Sequence, residues 1–411
     1  MITGALIGAG NRGKDVYGQY ALNYPDEIKF VAVAEPNDDK RREFVTEHAI
    51  SNEMAFETWE DLLNKEKLCD AVFVCVQDRM HYKATIAALE KGYNVLLEKP
   101  MSYNLKECLE ITETAQKNKR ILTVAHVLRY APFFKKIKEI IDSDEIGDVI
   151  HIDLNENIAY WHFAHSYVRG NWANVNTSSP IILAKSSHDM DILYWLMNER
   201  PKKISSFGSL KYFNKENAPI GSADRCIDCA AEYDCPYSAK KIYLGENTDW
   251  PVSVISTDHS IEGRLKALKE GPYGRCVYRC NNNVCDHQVV NIEFEDGKTA
   301  SFTLSAFTHD LTREVKIMGT LGDLSGNLTD NRIEINKYNG EKDVIVVKSM
   351  NGRHSGGDTG LMKYFIKQIE NNDEDVLTSA ENSLMGHVMA FAAEESRLKH
   401  KVIDIDRFMK M

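Results

Sequence analysis

The stretch that most restricts the fold lies at the start of the chain. Ala5-Leu6-Ile7 reads as a buried strand, and it runs directly into Gly8-Ala9-Gly10-Asn11-Arg12-Gly13. A G-x-G-x-x-G turn between a strand and a helix permits a tight reversal. It also lets backbone N–H groups approach a pyrophosphate at the helix N-terminus. A second apolar run, Phe30 to Ala34, ends in Glu35, 22 positions beyond Gly13. An acidic residue there accepts hydrogen bonds from ribose hydroxyls and repels a 2′-phosphate, so the pattern points to NAD before NADP. Arg12 and Lys40-Arg41-Arg42 keep NADP open as the lesser alternative.

The same rhythm continues. Helical stretches at Asp39 to His48, Glu57 to Lys67, His81 to Lys91 and Asn104 to Asn118 alternate with apolar runs. These runs, Asp70 to Val76, Gly92 to Leu97 and Ile121 to Ala125, read as buried parallel strands. The expected fold is α/β. Residues 1–125 form an N-terminal doubly wound (Rossmann) parallel sheet binding NAD. Residues 126–411 form an α+β domain on a large, mostly antiparallel open sheet, with a cysteine-rich insert at 222–286. In the second part, the expected strands begin with Val149 to Glu156, Lys203 to Phe213, His287 to Phe294 and Ala300 to Phe307. Val315 to Met318, Arg332 to Lys337 and Val344 to Lys348 complete them, and the C-terminus returns to helix.

In an open parallel sheet, ligands bind at the carboxyl ends of the strands. Gln77 and His81 follow one such end, and Glu98-Lys99-Pro100 follows another. A partly desolvated Lys99 there can exchange a proton near neutral pH; the plain alternative is a surface Lys before a turn. Net charge is −11, which argues against a nucleic-acid or anionic-membrane surface. No run reaches the roughly 20 apolar residues of a membrane span. The first residues lack the basic region of a signal peptide, so a cytoplasmic setting is expected.

Four landmarks occur in one order: Gly8 to Gly13, Glu98-Lys99-Pro100, Arg129-Tyr130 followed by Pro132, and Ser187-His188-Asp189-Met190-Asp191. On these the whole chain resembles the glucose–fructose oxidoreductase, inositol dehydrogenase and rhizopine-catabolism (Gfo/Idh/MocA) family. The resemblance implies hydride transfer between a nicotinamide and a hydroxyl-bearing carbon of a sugar, sugar acid, polyol or glycoside. It implies a homo-oligomer, dimer or tetramer, assembled through the C-terminal sheet. It places Gly8, Gly10, Asn11, Arg12, Gly13, Glu35, Gln77, His81, Glu98 and Lys99 at the cofactor, and it implies a cis Lys99-Pro100 peptide. Lys99 and His188 become the catalytic pair, although a His opening a helix also serves as a cap or core group. Two alternatives remain, a redox glycosidase that keeps its NAD bound and a non-catalytic NAD(H)-binding regulator.

One departure stands out. The family usually has Asp four residues before this His, where this chain has Ala184 followed by Lys185. Asp189 or Asp191 would then orient the His, or Lys185 would join the catalytic set or grip a substrate oxygen or carboxylate. Arg129, Tyr160, His165 and Arg169 are the candidate substrate contacts; for the stretch 160–172 the alternative is a surface loop with a structural Trp.

Six of the nine cysteines fall in two windows, Cys226, Cys229 and Cys235, then Cys276, Cys280 and Cys285. The first three with Cys280, or with Cys276, would suit a structural zinc. Free thiols, disulfides formed on oxidation and an iron–sulfur cluster are the alternatives.

Overall fold

The computed structural model of the chain describes residues 1–350, 352–373 and 376–410. The first sheet contains β1 (Ile2–Ile7), β2 (Ile28–Ala34), β3 (Ala55–Phe56), β4 (Ala71–Val74), β5 (Asn94–Leu97) and β6 (Leu122–Val124). All its pairings are parallel, in the order β3-β2-β1-β4-β5-β6. Strand side chains alternate between faces, and each face has its own core. Leu6, Phe30, Phe73 and Leu96 serve one core, and Ile7, Val72, Val74, Val95 and Leu97 serve the other. The order reverses between β1 and β4, which opens the crevice into which the glycine turn projects.

The second sheet contains β7 (Val149–Ala159), β8 (Pro201–Ser209), β9 (His287–Phe294), β10 (Thr299–Thr308) and β11 (Thr312–Gly319). It continues through β12 (Gly322–Asn327), β13 (Arg332–Lys337), β14 (Lys342–Val346) and β15 (Ile403–Asp404). The order is β14-β13-β12-β11-β7-β10-β9-β8-β15, antiparallel except for the β7–β10 pair. Its inner face packs on helices Ser187–Met197 and Ala380–Lys399 around Leu154, Ile292, Phe302 and Ile317.

Two helices tie the sheets together. Gly357–Asn371 follows the second sheet in sequence but closes the first sheet's core through Leu361, Met362 and Phe365, with Phe365 edge-on to Phe73 at 5.6 Å. The layers of the first half are therefore not built from residues 1–125 alone. Ala380–Lys399 packs on helix Leu105–Asn118 of the first half and on Ser187–Met197 of the second. At that second contact a Cβ on Gly386 would lie 2.9 Å from the Asp191 Cα.

The polar-aromatic stretch expected as a loop is helical instead, Tyr160–Phe163 continuing into a wider turn at Ala164–Arg169. Burial of Phe163, Ala164, Tyr167 and Val168 in the second core supplies the amphipathic face that the local composition hid. Substituting Gly386→Val is expected to lower stability by about 1–3 kcal/mol, because well-packed backbones cannot absorb the added carbons. Equilibrium urea unfolding reads this directly; an unchanged midpoint would show that the seam yields.

Candidate active site

The glycine turn fits an approaching backbone ligand. Gly8 has φ +96° and a Cβ there would sit 2.7 Å from the Cys75 carbonyl oxygen; a Cβ on Gly13 would sit 2.1 Å from the Gly8 carbonyl oxygen. Above Gly10, by contrast, no atom lies within 4 Å of such a Cβ. At the end of β2 the buried Glu35 carboxylate is fixed by two backbone donors, Ala9 N–H at 2.8 Å and Asn37 N–H at 2.9 Å. A tight turn, an open face and a fixed carboxylate suit a dinucleotide with free ribose hydroxyls.

Other candidate cofactor contacts have partners within the protein. Asn11 donates to Asp15 at 2.7 Å and accepts from Arg353 at 2.7 Å. Arg12 Nε donates to Glu98 at 2.6 Å, and its Nη2 donates to Asp358 at 2.7 Å and Tyr17 at 2.9 Å. Arg12 and Glu98 thus link the first sheet to helix Gly357–Asn371. Asp358 lies in the first turn of that helix, whose cap position is Gly356. Gln77 is exposed at the end of β4. His81 is buried with its ring nitrogens 2.7 Å from the Pro100 carbonyl and 3.0 Å from the Val76 carbonyl, so it pins two strand ends together.

Lys99 follows β5, before a cis peptide to Pro100. Its ammonium donates to the Ala184 carbonyl at 2.5 Å, across from the second half of the chain. Burial, reinforced by the charge of Lys185, pushes its pKa down to about 8. His188 opens helix Ser187–Met197 and is buried, with its ring 5.8 Å from those of His126 and His354. Burial, then Lys99 and His126, hold this imidazole well below the usual histidine range, so it is neutral. Its Nδ1 is buried with no hydrogen-bond partner among the described residues.

The residue reading missed Glu156 and Arg313. They are partners across β7 and β11, both facing inward. Arg313 Nη2 lies 2.5 Å from Glu156 and its Nε 2.6 Å from Asp189; Lys185 reaches the other Glu156 oxygen at 3.0 Å. Burial opposes ionisation of Glu156, but Arg313 and Lys185 outweigh it and hold its pKa below the usual range. Asp189 is pushed up to about 6, mainly by burial. Asp191 turns elsewhere, to Arg129 at 2.7 and 2.8 Å and to His126 at 2.9 Å. Their parity in otherwise alternating strands was the available signal: Glu156 is in phase with Ile152, Leu154 and Ile158, and Arg313 with Val315 and Ile317.

Three expected substrate contacts are committed to the protein itself. Arg129 pairs with both oxygens of Asp191 and donates to the Leu377 and Asn382 carbonyls. Arg169 is buried and donates to the Arg275 and Tyr237 carbonyls, each at 2.7 Å. His165 bonds the Tyr243 hydroxyl at 2.9 Å and stacks on Tyr273. Arg169 and His165 face the cysteine-rich insert. Tyr160 is half-buried near Tyr237.

Cys226, Cys229, Cys235 and Cys276 do line one small cavity, with Arg169. All are free thiols, and among the described residues no three His, Cys, Asp or Glu side chains are placed to hold a metal ion. The Arg169 guanidinium donates to Cys226 Sγ at 3.4 Å, and burial raises the pKa of Cys235, Cys276 and Cys280 toward the neutral thiol. Cys280 instead donates to the Cys276 carbonyl at 3.2 Å.

Comparison with known proteins agrees with this layout. Residues 2–126 match the family described as oxidoreductase family, NAD-binding Rossmann fold, and residues 138–405 match its C-terminal alpha/beta domain. The chain belongs to the Gfo/Idh/MocA oxidoreductase family. It is 26% identical to the putative oxidoreductase YteT of Bacillus subtilis over 329 residues, 76% of each chain. It is 27% identical to an inositol 2-dehydrogenase/D-chiro-inositol 3-dehydrogenase of Lactiplantibacillus plantarum over 166 residues, 40% of this chain and 44% of that one. A levoglucosan dehydrogenase solved with NADH shares the fold, with a TM-score of 0.71, 15% identity and coverage of 98% of this chain and 99% of that one. No helix among the described residues is long and apolar enough to cross a membrane.

If Arg129 is structural, Arg129→Met leaves the buried Asp191 carboxylate without its bidentate partner, with the His126 imidazole beside it. The expected loss of stability is about 3–5 kcal/mol, read by denaturant unfolding. A variant of undiminished stability would return Arg129 to the ligand.

Proposed function

We propose that this Gfo/Idh/MocA protein is an NAD-dependent oxidoreductase. It transfers a hydride between nicotinamide and a hydroxyl-bearing carbon of a sugar, sugar acid, polyol or glycoside. The observation that supports this reading is the placement of Lys99, two residues beyond the carboxyl end of β5 with its amine on the Ala184 carbonyl at 2.5 Å, together with the buried His188; burial and Lys185 push the Lys99 pKa down to about 8. NAD bound at the glycine turn and Glu35 would supply the hydride acceptor. The neutral Lys99 amine accepts the substrate hydroxyl proton as that carbon is oxidised, and the buried His188 imidazole bonds and orients the same oxygen. In the reverse direction Lys99 returns the proton. Assembly into a dimer or tetramer through the second sheet belongs to the same proposal. Its uncovered face presents the exposed cross-strand partners Phe207 and Val289.

Reduced-nicotinamide absorbance, measured with NAD and a panel of polyols, sugars, sugar acids and aryl glycosides, tests the reading. Aglycone release would be followed in the same wells. Reduced cofactor is expected with one substrate class. Aglycone release alone would replace the dehydrogenase by a redox glycosidase, and NAD binding with neither signal would leave a regulator. With the active substrate, kcat/KM for oxidation should rise about tenfold per pH unit up to about pH 8 and then level, because only neutral Lys99 accepts the proton. Lys99→Met should lower it by ~10²–10⁴; a flat profile with an active variant would remove Lys99 from the chemistry.

Glu35→Gln removes the carboxylate that repels a 2′-phosphate. The NAD-to-NADP ratio of kcat/KM is expected to fall by about tenfold or more. An unchanged ratio would show that cofactor choice lies elsewhere.

A further inference from the structure

Two guanidinium groups reach the glycine turn, and they are bonded differently. Arg12 meets two carboxylates, Glu98 at 2.6 Å and Asp358 at 2.7 Å. Lys14, in the helical turn that follows, is likewise paired, with Glu43 and with Glu47 at 3.6 Å. Arg353 comes from the other end of the chain, and its Nη1 donates to the Asn11 side-chain oxygen at 2.7 Å. That is its one hydrogen bond among the described residues, and no carboxylate pairs with it there. A guanidinium has five N–H donors, so most of those on the exposed Arg353 are open to a ligand.

Asn11 fixes where this group stands. Its amide nitrogen donates to the exposed Asp15 at 2.7 Å, which turns its oxygen toward Arg353. Asn11 directly follows Gly10, where no atom lies within 4 Å of an added Cβ, on the open face that suits an approaching dinucleotide. The backbone around Arg353 is costly to hold. Gly352, His354, Ser355 and Gly356 have φ of +117°, +50°, +53° and +87°. Residues with a Cβ avoid that region, and such strain persists only where the surroundings fix it. Here contacts to the glycine turn fix it: Arg353 on Asn11, and Asp358 on Arg12, with His354 joined to Asp358 at 2.8 Å. The strained segment is thus tied to the cofactor side of the site twice, and it brings there a cation without a carboxylate of its own.

We propose that Arg353 is a cofactor-binding residue and donates to the pyrophosphate of NAD. This rests on the NAD-dependent reading given above and adds to it a contact from the second half of the chain. The pyrophosphate is anionic, and its oxygens match the planar fork of a guanidinium. Arg12 serves the carboxylates that join the two halves, and Arg353 serves the ligand. Asn11 keeps the fork at the turn before the cofactor arrives, so little side-chain freedom remains to be lost on binding.

The test is binding, not turnover. NADH affinity of the full chain is measured by fluorescence titration without substrate, at low and raised sodium chloride, for wild type, Arg353→Met and Arg353→Lys. ADP is followed by its displacement of NADH, and thermal unfolding confirms that each variant is folded. Arg353→Met is expected to weaken both NADH and ADP by about ten- to a hundredfold and to flatten the salt dependence. Arg353→Lys, which keeps the charge and loses the fork, should fall between. Equal NADH affinity in wild type and Arg353→Met overturns the proposal and leaves the oxidoreductase reading intact. Weaker binding with an unchanged salt dependence overturns the pyrophosphate assignment, since the loss then comes from the shape of the turn. A loss confined to NADH, with ADP unaffected, overturns it as well by placing Arg353 at the nicotinamide half. A wild type that binds no NADH removes this proposal and the oxidoreductase reading together.

Discussion

A half-buried ammonium hydrogen-bonded to a carbonyl and not to a carboxylate is the constraint around which this molecule is arranged. The Lys99 ammonium donates to the Ala184 carbonyl oxygen, and Lys185 adds a second positive charge that lowers its pKa. Burying a charge is costly unless a partner compensates, and the ordinary outcome is a lowered lysine pKa. The surroundings keep it that way. Glu98, the preceding residue in the chain, is bonded by Arg12 and Tyr17, at 2.6 and 2.5 Å, and Glu156 is paired with Arg313 and Lys185. The Arg12–Asp358 contact spans 346 residues of sequence and ties helix Gly357–Asn371 to the glycine turn. Glu98 and the buried Asp78 still act on Lys99, but burial and the charge of Lys185 outweigh them.

The cysteine-rich insert shows another way to hold a segment with little apolar core. Its own cluster is small: Cys226, Ala239, Tyr243, Val252 and Leu268. Arginines cap its loop carbonyls instead. Arg264 donates to Tyr243 and Gly245, Arg225 to Leu268 and Gly271, and Arg169 to Tyr237 and Arg275. A guanidinium has five donors in a rigid fork, enough to satisfy several carbonyls at once.

Much of this was legible in the residues. The glycine turn, Glu35 and Lys99 sit where local pattern alone puts them, at the ends of apolar runs, and the parallel sheet followed from the alternation of strands and helices. Strands with weak patterns were not legible: β3 and β15 are two residues each, and β12 contains two glycines in six positions. The roles of charged side chains were also hidden. Arg129 and Arg169 looked like ligand-binding groups because sequence does not show that Asp191, Leu377 or Tyr237 reaches them first. Glu156 and Arg313 were visible only as inward-phase residues in alternating strands, and their pairing depends on the β7–β11 register. Lys185 was flagged as unusual, but its pairing with the buried Glu156 is a property of the assembled site.

The most direct test of the account is a titration of Lys99 itself. Protein labelled with ¹⁵N in its lysine side chains, with Lys99→Arg to assign the resonance, reports the ionisation by NMR without any substrate. The account requires a midpoint of about 8, moving upward in Lys185→Met as the neighbouring charge is removed. A midpoint at the ordinary lysine value of about 10.4, unmoved by that substitution, would contradict it and leave Lys99 as a structural tether between the two halves.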